Sequence, residues 1–341
     1  MIAILRALGL GDLLTATPAL RGMARAFADE RRVLYAPLSL SPLVARIDPQ
    51  LELRDAHRPA SLAYAGSRVR SAVNLHGQGP QSHRALLAAA PGARLLAFRN
   101  EFVRESWRAP RWRDDEHERA RWCRLLAFHG ISADPDDVEL SVSRDEQNTL
   151  PLVRGATVLH PGAASPARRW PLARWAALAR SERSHGHRVV ITGSRTERPL
   201  GTALAELAGL PPDDVIAGRT SLLELAGVVA GAGRVVCGDT GVAHLATALR
   251  TPSVVLFGPV SPARWGPPPN RAWHISLWAG RAGDPHGQSV DPGLLAIGVD
   301  HAVGALARLP ARAPPVPARS PLRGRTDEAA NVRPDRVVAN A

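Results

Sequence analysis

Several features that would place this 341-residue chain in a familiar class are missing from it. Cysteine occurs only at Cys123 and Cys237, one in each half, so a disulfide framework is not expected. No apolar run approaches the ~20 residues that a membrane-spanning helix needs, and the first residues lack the features of a signal peptide. We therefore expect a cytoplasmic protein, for which peripheral contact with the inner face of the cytoplasmic membrane stays open.

Lysine is absent, so all 43 basic side chains are arginines, against 31 acidic ones and a formal net charge of +12. Such a balance favours anionic partners, among them sugar nucleotides, phosphorylated lipids, membrane surfaces and nucleic acid. A genome bias towards arginine codons explains the composition equally well. Nucleic acid is the least favoured of these partners, because no recognisable nucleic-acid-binding module occurs in the sequence.

The common nucleotide and metal motifs are also missing. There is no glycine-rich loop that ends in Lys-Ser or Lys-Thr, and the turn Gly9-Leu10-Gly11 lacks the third glycine of the dinucleotide fingerprint. No His/Cys cluster has zinc spacing, and no Gly-x-Ser-x-Gly elbow occurs. These absences exclude a P-loop site, and they predict neither a dinucleotide cofactor nor a metal.

What the chain does contain is strand–helix alternation, twice over. Short apolar runs predict strands that alternate with amphipathic segments of helical period, which is typical of a parallel sheet covered on both faces. A polar, proline-containing stretch at 134–155 separates the two halves. We predict a domain at 1–150, a second at 151–309 and a disordered Pro/Arg-rich tail at 310–341, with a cleft between the two domains. In the second half, strands are predicted at 157–159, 188–192, 215–217, 235–237 and 253–257.

Polar turns follow several of these strands, at the sheet edge where open α/β sheets bind ligands. The stretch 234–262 is the most informative, because a strand, the turn Gly238-Asp239-Thr240-Gly241 and a helix follow one another. Free backbone N–H groups and a positive helix end make such a turn an anion site. Asp239 and Thr240 could instead simply cap the helix, and His244 could be an ordinary core histidine.

Asp12 lies in the first turn, and the turn alone favours a helix N-cap over a functional role by roughly two to one. A position at a helix start also predicts a depressed pKa. The alternative function is that of a general base, since a fixed carboxylate can take the proton of an alcohol as that alcohol attacks an activated sugar.

Two further turns carry charged candidates. Arg168 and Arg169 precede a helix in a turn of small residues, where they could neutralise a phosphate, or they are a surface arginine pair. Glu197 follows the strand that ends in Thr192-Gly193-Ser194, where it could bind ribose hydroxyls or act as an ordinary acid in the first helical turn.

Taken together, these turns resemble glycosyltransferase family 9, the heptosyltransferase-like enzymes. The matching motifs, which run from Met1 to about Pro268, are Gly9-Leu10-Gly11-Asp12, Thr17-Pro18-Ala19-Leu20, His160-Pro161-Gly162, Arg168-Arg169-Trp170-Pro171, Gly218-Arg219-Thr220-Ser221-Leu222, Gly238-Asp239-Thr240-Gly241, His244-Leu245-Ala246 and Phe257-Gly258-Pro259. The most specific of them are Asp-Thr-Gly-x-x-His and Phe-Gly-Pro.

The resemblance implies a GT-B fold, with two Rossmann-like, doubly wound parallel-sheet domains that face a central cleft. It implies inverting, metal-independent transfer of a sugar, without a cofactor, from a nucleotide diphosphate donor such as ADP-heptose to a cell-envelope glycan or glycolipid. Asp12 matches the family's general base, Arg168 its phosphate-binding position and Glu197 its ribose-binding acid. Asp239, Thr240, Gly241 and His244 match its donor turn, and Arg169 adjoins Arg168.

The sequence departs from the family pattern at Asn74-Leu75-His76-Gly77, where many members have Asp-Leu-x-Gly. This stretch belongs to the half that is expected to face the acceptor. Two other functions stay open. One is a nucleotide-sugar epimerase or hydrolase of the same fold, and the other is a non-catalytic nucleotide-sugar-binding protein.

Overall fold

The computed structural model describes residues 1–59, 62, 68–148 and 150–311, and within this part it forms two five-stranded parallel sheets. The first sheet has the order β3-β2-β1-β4-β5. Its strands are β1 (Ile2–Leu5), β2 (Arg32–Ala36), β3 (Leu51–Asp55), β4 (Ser71–Asn74) and β5 (Arg94–Leu96). Its helices are α1 (Leu10–Ala26), α2 (Ser41–Ile47), α3 (Gln81–Ala89) and α4 (Glu118–Phe128).

The second sheet has the order β10-β9-β8-β6-β7. Its strands are β6 (Thr157–His160), β7 (Val189–Ile191), β8 (Arg234–Gly238), β9 (Ser253–Phe257) and β10 (His274–Trp278). The remaining helices are α5 (Arg144–Asn148), α6 (Leu172–Ser184), α7 (Arg198–Ala208), α8 (Leu222–Gly231), α9 (Gly241–Ala248), α10 (Pro262–Trp265), α11 (Pro292–Ala296) and α12 (Val299–Arg308). We call the part of the chain that carries each sheet the first and the second lobe.

The apolar runs form strands because both faces of each sheet are covered. All four residues of β1 and all five of β9 are buried, which explains why these strands read as continuous apolar runs without alternation. The predicted doubly wound α/β fold is confirmed. The predicted domain boundaries stay a prediction, and residues 312–341 of the expected disordered tail lie outside the described residues.

Some predicted elements differ in the structure. The strand expected at 215–217 is only an isolated bridge between Ile191 and Val215, so that prediction was wrong. The chain there follows the short turn Pro212–Asp214 and leaves the sheet edge after one residue. Strand β10 and helix α12 were not predicted. β10 is only partly buried beyond its first residue, and its apolar run is interrupted by Ser276.

The strand order fixes where a site can lie. In the first sheet the order reverses between β1 and β4, and in the second it reverses between β6 and β8. Ligands of open α/β sheets bind outside the carboxyl ends of the strands at such reversals. The turns that carry Asp12 and Asp239 follow β1 and β8, respectively, so each lies at the reversal of its own sheet.

The two lobes meet through the first turns of α1 and α9, which pack against each other. A Cβ added at Gly11 would lie 3.0 Å from Cδ2 of His244, and one added at Gly241 would lie 3.0 Å from the Leu10 side chain. Contacts at 3.0 Å are tighter than ordinary packing, so a side chain at either glycine would force its neighbour to move. Glycine at both positions therefore brings the two helix starts together.

Candidate active site

A cleft of about 510 Å³ lies between the lobes, where the carboxyl ends of both sheets face each other. The first lobe contributes the start of α1 with Asp12, and the second contributes the turns after β6, β7 and β8. The cleft brings together all of the sequence-predicted site residues except Arg169. They are Asp12, Arg168, Glu197, Asp239, Thr240, Gly241 and His244.

Asp12 is the third residue of α1, whose N-cap is Gly9, so the interpretation of Asp12 as an N-cap was wrong. The expected depression of its pKa was also wrong. Burial raises the pKa of Asp12 above its usual range, and the Glu118 carboxylate raises it further. The Arg6 guanidinium lowers the pKa but does not offset these two effects. Backbone hydrogen bonds at Gly9 and Asp12 lower the pKa without reversing the effect. The carboxyl group still reaches the cleft, because about a third of the side chain is exposed.

Arg6 is the partner of Asp12, and sequence analysis did not identify it. Its Nη2 lies 3.3 Å from Oδ1 of Asp12 and 3.0 Å from Oε1 of Glu118, and its Nε donates to the Asp12 carbonyl at 3.0 Å. Its Nη1 donates to the carbonyl of Leu75, and its guanidinium lies 4.9 Å from the centre of the Trp122 ring. Arg6 thus ties Asp12 to the ends of β1 and β4 and to helix α4.

Glu118 completes this buried group at the first turn of α4. It accepts hydrogen bonds from Arg6 and Arg121 through Oε1 and Oε2, respectively, and from the Trp122 indole through Oε1 at 2.9 Å. Glu118 and Arg6 are 112 positions apart, and the sequence around neither residue indicates that the two side chains meet. An arginine directly after an apolar strand was the only signal that the sequence offered.

On the opposite side of the cleft, Arg168 and Asp239 of the second lobe line its surface. Nη1 of Arg168 donates to the Asp239 carbonyl at 3.3 Å, while its buried Nε has no partner among the described residues. Burial raises the pKa of the Asp239 carboxyl group to about 6. Arg168 opposes the increase, and the Asp12 charge adds to it. The two carboxylates are therefore close enough to affect each other across the cleft.

Thr240 occupies the N-cap position of α9, but its side chain does not cap the helix. Its Oγ1 is buried and has no hydrogen-bond partner in the described part of the chain, although the Cys237 thiol, a weak hydrogen-bonding group, lies beside it. Arg264 of α10 also lines the cleft, and its buried Nε likewise has no partner among those residues. Three unpartnered polar atoms thus surround one space, as expected of a site that a polar ligand fills.

His244 lies one turn into α9 and is half-buried at the cleft. Its ring packs against Trp265 with 5.9 Å between ring centres. Burial lowers the pKa of His244 to about 3, and repulsion from Arg119, from His117 in its protonated form and from Arg6 adds to the decrease. The imidazole is therefore neutral near pH 7 and can act there as a hydrogen-bonding group, not as a cation.

Glu197 ends the short turn Arg195–Glu197 that precedes α7. Its Oε2 accepts hydrogen bonds from the backbone N–H and the hydroxyl of Ser194, both at 2.8 Å. Burial raises its pKa, but the Ser194 hydrogen bonds and the nearby His160 and Arg169 outweigh burial, so the pKa lies below its usual range. The other oxygen, Oε1, lies against Gly162, where a Cβ would approach it to 2.1 Å.

Arg169, unlike Arg168, is exposed and does not line the cleft. Its Nε donates to the carbonyl of Ala163 at 2.9 Å, so it braces the turn that carries Arg168. Within the described residues, no group of three or more His, Cys, Asp and Glu side chains could hold a metal ion. No helix among them is long and apolar enough to cross a bilayer.

Asn74, where the sequence departs from the resembled family, is fully buried at the end of β4. Its Nδ2 lies 2.8 Å from Ser82 Oγ and 2.8 Å from His83 Nδ1, and its Oδ1 accepts the backbone N–H of His76. The His76 side chain then presents a buried Nδ1 that has no partner in the described chain. Asn74 therefore shapes the loop after β4.

Comparisons with known proteins agree with this geometry. The family model "Glycosyltransferase family 9 (heptosyltransferase)" matches residues 111–290. Lipooligosaccharide heptosyltransferase 2 of Haemophilus influenzae is 33% identical over 139 residues, which are 37% of this chain and 39% of the relative. The matched part thus spans well under half the length of this curated relative.

Solved structures extend the likeness of fold to most of the chain. The structure of E. coli ADP-heptose heptosyltransferase II superposes with a TM-score of 0.73 at 23% identity, covering 90% of this chain and 97% of that one. E. coli heptosyltransferase WaaC with ADP superposes with a TM-score of 0.68 at 18% identity, covering 90% and 98%. At these identities the superpositions show a shared GT-B-type fold.

Proposed function

Because this chain belongs to glycosyltransferase family 9, we propose that it transfers a heptose-like sugar from a nucleotide diphosphate donor, ADP-heptose, to a hydroxyl group of a cell-envelope glycolipid of the lipopolysaccharide type. The observation that carries the proposal is the cleft itself. A carboxylate of raised pKa on the first lobe faces arginine and threonine side chains of the second lobe that have unpartnered hydrogen-bonding atoms, and the Glu197 carboxylate lies beside them.

The second lobe suits the donor. Nε of Arg168, Oγ1 of Thr240 and the free N–H groups at the start of α9 are donors for the two phosphates. Oε1 of Glu197 is available to accept a hydrogen bond from a ribose hydroxyl. The solved E. coli relative with ADP supports adenine as the base of the nucleotide.

The first lobe suits the acceptor. Its hydroxyl oxygen attacks the anomeric carbon, the bond from that carbon to the diphosphate oxygen breaks, and the electron pair of this bond leaves with the nucleotide diphosphate. Asp12 accepts the hydroxyl proton as the new bond forms. Its raised pKa makes it a stronger base than an ordinary aspartate. In a single displacement the hydroxyl attacks from the face of the sugar opposite the leaving diphosphate, so the configuration of the sugar is inverted.

We further propose that the transfer needs no divalent metal. Negative charge develops on the leaving diphosphate as the bond breaks, and Arg168 together with the positive start of α9 is placed to stabilise it. These groups stabilise the transition state more than the ground state, because the negative charge on the bridging diphosphate oxygen is larger in the transition state. Activity that is unchanged in excess chelator is the expected result, and activity that returns only with an added divalent ion would contradict this part.

Donor binding and transfer can be tested separately. A thermal-shift series with ADP, UDP and GDP should show the largest stabilisation with ADP. Incubation with ADP-heptose and cell-envelope extract should yield a heptosylated glycolipid, and Asp12→Asn should lower turnover by about 10²–10⁴-fold while ADP binding stays unchanged. Release of free or isomerised sugar without acceptor, or full turnover of the Asp12 variant, would refute the proposed transfer.

A further inference from the structure

The loop 98–113 of the first lobe holds two large aromatic side chains in solvent. Phe102 is 66% exposed and Trp107 is 52% exposed. Among the large aromatic side chains of the described residues, Phe128, at 53%, is exposed to a similar extent. The loop begins at the carboxyl end of β5, the same edge of the first sheet that faces the cleft. We propose that this loop docks the protein on an anionic membrane surface.

The loop is built to keep this shape. Phe98 at its start is fully buried, and its ring meets Trp112 near its end edge-to-face, with 5.3 Å between ring centres. In the middle, Val103 is buried and the Ser106 hydroxyl accepts the Asn100 N–H at 2.9 Å. Phe102 and Trp107 flank this anchored segment on either side, so their exposure is imposed by the backbone.

The charges around these two rings match an anionic surface. All five arginines of the loop are exposed, against two acidic residues within it, and the exposed Asp114 and Asp115 follow the loop directly. The arginines are Arg99, Arg104, Arg108, Arg111 and Arg113, and the acidic residues are Glu101 and Glu105. Exposed aromatic rings next to basic side chains are the composition of protein surfaces that settle at the lipid headgroup level, where the rings enter the interface and the arginines bind anionic headgroups.

The loop is also connected to the site. Asn100 donates a hydrogen bond to the carbonyl of Gln78 at 3.0 Å, in the segment that follows β4. Leu75, three residues earlier, accepts the hydrogen bond of Arg6, which in turn holds Asp12. Docking through the loop would therefore place the acceptor side of the cleft next to the membrane. The inference rests on the proposed function only in that a glycolipid acceptor, which is embedded in a membrane, gives a reason for the docking.

The test uses the full chain and vesicles without any acceptor, so its failure is distinct from failure of the proposed transfer. Sedimentation with phosphatidylglycerol/phosphatidylethanolamine vesicles is compared with sedimentation with phosphatidylcholine vesicles. The wild type should bind the anionic vesicles and lose binding at high salt. The double variant Phe102→Ser, Trp107→Ser should bind at least about tenfold more weakly. Arg104→Gln with Arg108→Gln should weaken binding about fivefold for each arginine removed.

The matched control is Leu207→Ser with Leu295→Ser, which removes two exposed apolar side chains (54% and 41%) from α7 and α11 of the second lobe. It should sediment like the wild type. Equal binding of wild type to both vesicle types, or wild-type binding by the loop variant, would overturn the proposal. So would a loop variant that binds vesicles normally but no longer transfers sugar to a delipidated acceptor, because the loop would then be an acceptor site. Thermal unfolding followed by circular dichroism, without any ligand, checks that each variant is folded.

Discussion

The guanidinium of Arg6 lies 3.3 Å from the carboxylate of Asp12, yet it does not belong to Asp12 alone. The same nitrogen is 3.0 Å from Glu118, and Arg6 is almost completely buried. Two carboxylates thus share one arginine, and the one at the cleft is the more exposed of the two. Arg6 holds Asp12 in place, while Glu118 limits how far Arg6 can lower the pKa of Asp12.

The first prediction concerns Glu118→Gln. Loss of the Glu118 charge leaves Arg6 to act on Asp12 alone, so the pKa of Asp12 should fall. A general base must be deprotonated to act, so the acidic limb of the pH profile of kcat/KM should move to lower pH. A limb that stays in place would show that Glu118 does not influence the base. ADP affinity, measured by calorimetry, should not change.

The second prediction is the opposite shift in Arg6→Gln. Without the positive charge, burial and Glu118 act unopposed, so the pKa of Asp12 should rise and the acidic limb should move to higher pH. The lost buried hydrogen bonds should also cost about 1–3 kcal/mol of unfolding free energy. Arg6→Lys is the control, because lysine keeps the positive charge but lacks the planar guanidinium that binds two carboxylates at once. The limb should return towards its wild-type position, while kcat stays low because Asp12 is less well oriented. If both variants shift the limb equally, the charge of Arg6 is not what sets it.

The third prediction concerns stability and Asp239. The folded pKa of about 6 exceeds the usual 3.8, so the folded protein holds this proton more tightly than the unfolded chain. Stability is therefore lost as pH rises from about 4 to about 6, and the full cost, up to about 3 kcal/mol, is present above that range. Asp239→Asn should remove it. Urea unfolding without nucleotide should show the variant to be more stable than wild type at pH 7.5, with a smaller difference at pH 5. Equal stabilities at pH 7.5 would contradict the burial of a charged Asp239.

The fourth prediction concerns Thr240→Val. Within the described residues Oγ1 of Thr240 has only the weakly hydrogen-bonding Cys237 thiol beside it, so the unfolding free energy should stay within about 0.5 kcal/mol or increase. ADP affinity should nevertheless fall about tenfold or more, because a hydrogen bond to a charged phosphate is among the stronger ones. Calorimetric titration with ADP measures the second effect and urea unfolding the first.

Thr247→Val is the matched control on the same helix. The Thr247 hydroxyl donates to the carbonyl of Ala243 at 3.0 Å, inside the helix and away from the cleft. This variant should keep wild-type ADP affinity. If Thr240→Val also keeps it, the hydroxyl does not bind the phosphate.

Sequence analysis predicted the local elements well where a strand is buried on both faces. It identified β6, β8 and β9 to within one residue at either end, because a continuous apolar run between polar turns is rarely anything other than a buried strand. It failed at Val215 and at β10, where edge position and partial burial weaken the apolar signal. The motif turns also identified most of the cleft, because residues at strand ends of one sheet must meet at one edge.

The sequence by itself determined that the chain would form two parallel sheets with polar turns at one edge, since strand period, turn chemistry and motif spacing are local properties. Tertiary structure alone decided what those turns can do. It placed Glu118 beside Arg6 from 112 positions away, and it buried Asp12 enough to raise a pKa that its place at a helix start had predicted to be low. Burial and long-range charge set the chemistry of a carboxylate, and neither is written in the residues next to it.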